Sequence, residues 1–216
     1  MLGLPQSTEF NKRIPKKKIY ENLTVAPSIR KLFAEQIKII YWRNKLASTT
    51  LNVACGKHVS EVEIFELRLN ESYLNEEVLR LIDSRLPYHI LFLLEYDGKY
   101  QAVIAYKEAI CSGKPSFKVE RYYRTEWLRE ESLPLHLEGL TMDAVYDNFV
   151  RQIAGGRLFN EENITLKEII EQQKEREQLE RRIAVLRTKM KKERQLNRKM
   201  ELKAYIKKIQ LQMEQF

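Results

Sequence analysis

Asp97, followed by Ala105-Tyr106-Lys107, is the arrangement in this chain nearest to the chemistry of a metal-dependent nuclease. That chemistry sets one acid before a strand and an acid-x-Lys on the next. The carboxylates hold Mg²⁺ and the lysine orients the attacking water. Here alanine occupies the second acid's place, and Asp97 is better explained as a turn residue before Gly98. Glu61, Glu63 and Glu66 could supply acids from the preceding strand. A divergent nuclease or hydrolase using Asp97, Glu63 and Lys107 is therefore an alternative and not the main reading. His58, His89 and His136 have no second His or Cys at metal-ligand spacing, and His89 reads as a hydrogen-bonded core residue. Cys55 and Cys111 are far apart, and Cys55 has no evident His partner. No Walker A loop, G-x-G-x-x-G or G-x-S-x-G occurs. We assign no catalytic residue, no metal site and no cofactor.

Binding chemistry is better represented. Lys16, Lys17 and Lys18 close a run with five bases in eight residues, Asn11–Lys18, suited to touching phosphate. Arg43 and Lys45 follow Trp42, where an aromatic with two bases could clamp a nucleic acid. The plainer reading is a core Trp with bases complementing a helix C-terminus. Arg121, Tyr122 and Arg124, beside Trp127, interleave bases and aromatics as a stacking surface would. Strand alternation turns Tyr123 inward and Tyr122 and Arg124 outward; ordinary cross-strand pairing is the plainer alternative. Lys191, Lys192 and Arg194 lie in the most basic stretch of all.

Three segments must position these residues. The chain has 216 residues, 38 Lys+Arg against 30 Asp+Glu, a net charge of +8, 7 Gly and 6 Pro. The last proline is Pro134 and the last glycines are Gly155-Gly156, so the final 60 residues contain neither. That composition belongs to a long helix. Thr165-Leu166-Lys167-Glu168 is a capping box, flanked by Ile164 and Ile169 as a staple. Leu179, Ile183, Leu186 and Met190 form one seam, while Ile206, Ile209 and Met213 belong to a second that runs from Leu202 to Phe216. The two are out of phase, and Leu196, Met200 and Ala204 drift between them. A stutter or hairpin bend near Lys191–Asn197 would reconcile them. The seams predict a coiled coil that dimerises or grips a partner, or a helix folded back. Arg181–Lys208 carries twelve bases and two acids, and Glu161–Glu180 seven acids and three bases.

Residues 1–22 read as a basic arm, 23–160 as an α+β domain and 161–216 as the tail. Pro27 starts a helix whose apolar face runs through Ile29, Phe33, Ile37 and Tyr41. Strands follow at Val59–Leu69, at Tyr88–Glu95, whose run Ile90–Leu94 predicts burial on both faces, and at Lys99–Lys107. A further strand runs through Phe117–Tyr123. The switch of parity within Val59–Leu69 predicts a bulge near Ile64-Phe65 or burial of both faces. Asp97-Gly98 predicts a hairpin, and helices span Leu74–Arg85 and the segment after Thr141. The expected fold is α+β, with a largely antiparallel sheet, helices on one face and a coiled-coil or hairpin tail. No apolar run reaches the ~18 residues of a membrane span. With no signal-peptide pattern and no disulfide framework, we expect a cytoplasmic protein.

Certain ordered residues resemble a known family: Leu4-Pro5-x-Ser7-Thr8, Ile14-Pro15-Lys16, Ile40-x-Trp42-x-Asn44-Lys45 and Glu61-x-Glu63-x-Phe65-Glu66. Ile82-Asp83, Pro87–Phe92, Tyr106-Lys107-Glu108 and Glu138-Gly139-Leu140-x-Met142-Asp143 complete the series. The chain resembles a bacterial family known as domain of unknown function 4391. The resemblance implies a neighbour of DNA helicases and methyltransferases in restriction or phage-defence loci. It thus implies a non-enzymatic accessory subunit with a helicase, methyltransferase or nuclease subunit as partner. DNA contact and homo-oligomerisation through the tail are further expectations, with no membrane. An inhibitor or antitoxin-like binder is a third reading.

Overall fold

The computed structural model describes residues 3–20, 26–83, 86–111, 115–155 and 165–213. Ile164, Phe216 and residues 112–114 lie outside them. The chain divides into two compact units, Met1–Gly155 and Gly156–Phe216.

The first unit is built on a six-stranded sheet in sequential order. Its strands are β1 (Glu9–Ile14), β2 (Ile37–Ala47), β3 (Glu61–Leu69), β4 (His89–Tyr96), β5 (Lys99–Cys111) and β6 (Pro115–Arg124). Every pairing is antiparallel except β3 with β4. That pair is parallel because helix α3 (Glu76–Asp83) carries the chain back between them. The basic segment expected as an arm joins this sheet as β1 and then forms α1 (Lys16–Tyr20).

Helix α2 (Pro27–Gln36) is shorter than its apolar periodicity suggests. Ile37, Ile40 and Tyr41 fit a helical face by spacing, yet Ile37–Ala47 is a strand paired on both sides. Its run of β-branched and aromatic residues suits a pleated surface, and two neighbours supply the ladder. A register shift between Trp42 and Asn44, opposite Phe65 and Ile64, places the expected bulge on β2 with Arg43 as the extra residue. Both faces of β3 are buried as well.

Helices cover both faces rather than one. Phe33 of α2 and Val78, Leu79 and Ile82 of α3 pack with Phe65, Leu67, Phe92 and Val103. Strand alternation turns Ile64, Leu91, Leu93 and Ile104 to the opposite side, and α4 (Met142–Ala154) packs on β5, β6 and β3. Thr141 caps α4 by accepting from the Ala144 amide at 3.2 Å, and Gly155 ends it at φ 57°.

Asp143, in the first turn of α4, holds a loop by accepting from the amides of Lys57 (2.6 Å), His58 (3.0 Å) and Val59 (2.8 Å). Burial pushes its carboxyl up, but those donors outweigh burial and hold it below the usual range. A Cβ on Gly56 would lie 2.5 Å from the Asp143 carboxylate, so only glycine fits there. Asp143→Ala should lower stability by about 2 kcal/mol by stranding the amides. The urea midpoint checks this, and an unchanged midpoint would remove the clip from the account.

The second unit is a helical hairpin. α5 (Leu166–Lys192) starts at the Thr165–Glu168 capping box, and α6 (Leu196–Met213) runs back along it. The break at Glu193–Gln195 falls where the two seams go out of phase.

Candidate functional site

The residues of the hydrolase alternative lie in three separate settings. Asp97 (φ 51°) and Gly98 (φ 72°) make the β4–β5 turn. Lys107 lies eight residues along β5 from Lys99, roughly 27 Å at ~3.4 Å per residue. It is fully buried, 2.7 Å from Asp83, which is fully buried too. Lys107 Nζ also donates to the Tyr88 carbonyl at 2.7 Å, and the Tyr122 hydroxyl donates to Asp83. Burial pulls Lys107 down and pushes Asp83 up, and each charge holds the other back. Glu63 lies elsewhere: it accepts from Trp42 Nε1 at 2.5 Å and is 3.9 Å from Lys45. Desolvation, then the neighbouring Glu61, raises its pKa to about 7. Asp97, Glu63 and Lys107 are not brought together.

The Tyr146 hydroxyl mends the ladder at the Tyr106/Lys107 register shift, donating to the Ala105 carbonyl at 2.5 Å and accepting from the Lys107 amide at 3.2 Å. His89 packs on Tyr146 and Phe117, and burial lowers its pKa to about 3, leaving the ring neutral. Among the described residues no three His, Cys, Asp or Glu side chains are gathered as a metal site.

Most basic candidates of the first unit have internal work. Lys16 donates to the carbonyls of Ala34 (3.2 Å) and Ile37 (2.6 Å), closing the end of α2. Arg43 pairs with Glu66 (2.7 Å) and Glu130 (3.3 Å), and Lys45 with Glu61 at 2.5 Å. Arg124 lies 3.8 Å from Glu76, and Arg121 is half-buried. Tyr122 is buried against the α2–α3 face, correcting its outward assignment: with both faces covered, alternation no longer separates inside from outside. Lys17 and Lys18 are exposed on α1.

The hairpin gathers what the sequence left as two seams. Ile183, Ile206 and Ile209 are buried together, with Leu179, Leu186, Met190 and Met213 packed around them. All seven residues expected to oligomerise thus meet inside one chain. Closing the seam turns the charge outward. Lys191, Lys192 and Arg194 are exposed at the bend. Eleven bases lie from Arg182 to Lys208. None of them forms an ion pair with a described carboxylate; the acidic half of α5 uses Arg176 and Arg181 against Glu180 and Glu177. Arg182 instead stacks on and donates to Tyr205.

Sequence reasoning missed two features. One is Asp83 as the partner of Lys107; an acid among the inward positions Val78, Leu79 and Ile82 of α3 was the available signal. The other is a polar crevice of about 500 Å³ at the carboxyl ends of β3 and β4, lined by Lys38, Arg68, Asn70, Glu95 and Asp97. Its residues come from three separate segments, and no local motif announces them.

A family model described as a domain of unknown function (DUF4391) matches residues 2–213. No curated protein and no solved structure matches the chain. No helix among the described residues is long and apolar enough to cross a membrane.

Proposed function

We propose that this chain, which belongs to the DUF4391 family, is a non-catalytic accessory subunit that holds nucleic acid through the basic end of its helical hairpin. The complex it would serve is a DNA-targeting one, of restriction or phage-defence type, with a helicase, methyltransferase or nuclease subunit beside it. One observation carries the reading: the apolar seam is satisfied within the chain, while Lys191, Lys192 and Arg194 stand exposed at the bend with no ion pair to a carboxylate among the described residues. A helical rod of that charge neutralises phosphates and releases their condensed counterions, which favours association and makes it salt-dependent. Lys17 and Lys18 on α1 offer a second, smaller contact.

Fluorescence anisotropy with a labelled DNA duplex tests this over a salt series. Log affinity should fall linearly with log salt, by about 0.9 for each phosphate neutralised. Replacing Lys191, Lys192 and Arg194 together with glutamine should reduce that slope by about two to three units. Arg43→Gln should leave it unchanged, because Arg43 is engaged with Glu66 and Glu130. A salt-insensitive titration, or a triple variant that binds like the parent, would refute the reading.

A further inference from the structure

The hairpin carries an apolar stripe that its seam does not use. Leu196, Met200 and Leu211 are 72%, 64% and 52% exposed. At about 100° per residue they fall within roughly 60° of one another on α6, turned away from the Ile206–Ile209 seam. Towards the end of the hairpin away from the bend, a groove of about 390 Å³ between the helices is lined by Arg176, Glu180, Ala184 and Arg187 of α5 and by Gln210 and Met213 of α6. On the same count Lys207 falls within the stripe, between Met200 and Leu211 along the helix, and Lys203 borders it; both are exposed. The one acid near them in sequence, Glu201, lines a different cavity with Leu202 and Tyr205.

We infer that this face docks an acidic amphipathic helix of a protein partner. Such a helix would lay apolar residues on Leu196, Met200 and Leu211 and set carboxylates against Arg187, Lys203 and Lys207. Three arguments select that occupant. The hairpin buries Ile183, Ile206 and Ile209 and only partly buries Leu179, Leu186, Met190 and Met213, so a third helix adds apolar burial that two helices leave unrealised. A second copy docking stripe to stripe would press Lys203 and Lys207 against their own counterparts, a like-charge contact that disfavours it. A duplex backbone would use the lysines and leave the exposed leucines and methionine without partners. The inference rests on the accessory-subunit reading and uses apolar residues of α6 rather than the Lys191, Lys192 and Arg194 side chains assigned to phosphate.

The test uses the full chain and two labelled synthetic peptides of about four heptads. Both carry Leu at the seam positions; one has Glu beside the seam and its twin has Lys. Anisotropy should show the acidic peptide binding at least about tenfold more tightly than the twin. Leu196→Ser with Met200→Ser should weaken that binding by about tenfold or more and leave duplex DNA affinity unchanged. Both positions are exposed, so the fold survives the change. Equal binding of the two peptides would overturn the inference, as would a variant that binds like the parent. A parent dimer by light scattering that the variant abolishes would give the stripe to a second copy. A parallel loss of DNA binding in the variant would give it to nucleic acid. Peptide binding in a protein that does not bind DNA would support the docking face and remove only the DNA reading.

Discussion

Lys107→Ala should cost the first unit about 3–5 kcal/mol, enough to remove most of the stability of an ordinary domain. Lys107 and Asp83 are both fully buried and 2.7 Å apart. Removing the ammonium leaves a carboxylate with the Tyr122 hydroxyl as its remaining hydrogen-bond donor, and the Tyr88 carbonyl loses a donor as well. The pair itself adds little over an apolar pair of equal volume, because desolvating two ions offsets their attraction. Lys107→Met combined with Asp83→Leu should therefore recover at least half of the loss. Urea unfolding followed by near-ultraviolet circular dichroism reads both variants. A cost below about 1 kcal/mol for Lys107→Ala would mean that water or rearrangement reaches Asp83. The same geometry bears on the hydrolase alternative: a lysine that must orient a water needs access to one, and this one is shut in by Phe117, Tyr88 and Asp83.

Local signals carried much of this architecture. The Thr165–Glu168 capping box, the Asp97-Gly98 turn, the Thr141 cap and the apolar run Ile90–Leu94 each involve residues within a few positions of one another. Their physics is complete without the rest of the chain. The bend at Glu193–Gln195 was legible for a different reason: two seams out of phase cannot face one partner along one straight helix. Ile37–Ala47 was misread because its apolar spacing satisfies a helix, and only pairing with β1 and β3 decides otherwise. The basic candidates show the same limit. Arg43, Lys45 and Lys16 look like phosphate ligands in sequence, yet their partners sit sixteen or more residues away: Glu66, Glu61 and the carbonyl oxygens of Ala34 and Ile37. Charge in sequence states what a side chain can hold, and only the fold states what it already holds.

Glu63→Gln should stabilise the protein in a pH-dependent way, by under about 1 kcal/mol at pH 5 and by about 3 kcal/mol at pH 8. The Glu63 carboxyl is buried and its pKa rises from 4.5 to about 7. A raised acid binds its proton more tightly in the folded state. Its stabilising effect is complete below pH 4.5 and is lost as pH climbs through 7. Glutamine does not titrate, so the difference between variant and parent opens across that window. His89 works in the opposite sense. Its pKa is lowered from 6.5 to about 3, so its stabilising effect is present above 6.5 and fades as pH falls. It therefore contributes equally to parent and variant and cancels from the difference. Urea midpoints at the two pH values measure the effect, and the fluorescence of Trp42, whose indole donates to Glu63, should shift with it. A gap of equal size at both pH values would show that Glu63 titrates like an exposed acid. A widening gap would show Glu63 ionising above pH 7, 3.9 Å from Lys45, which adds a second carboxylate to the Lys45–Glu61 pair and so withholds that ammonium from phosphate.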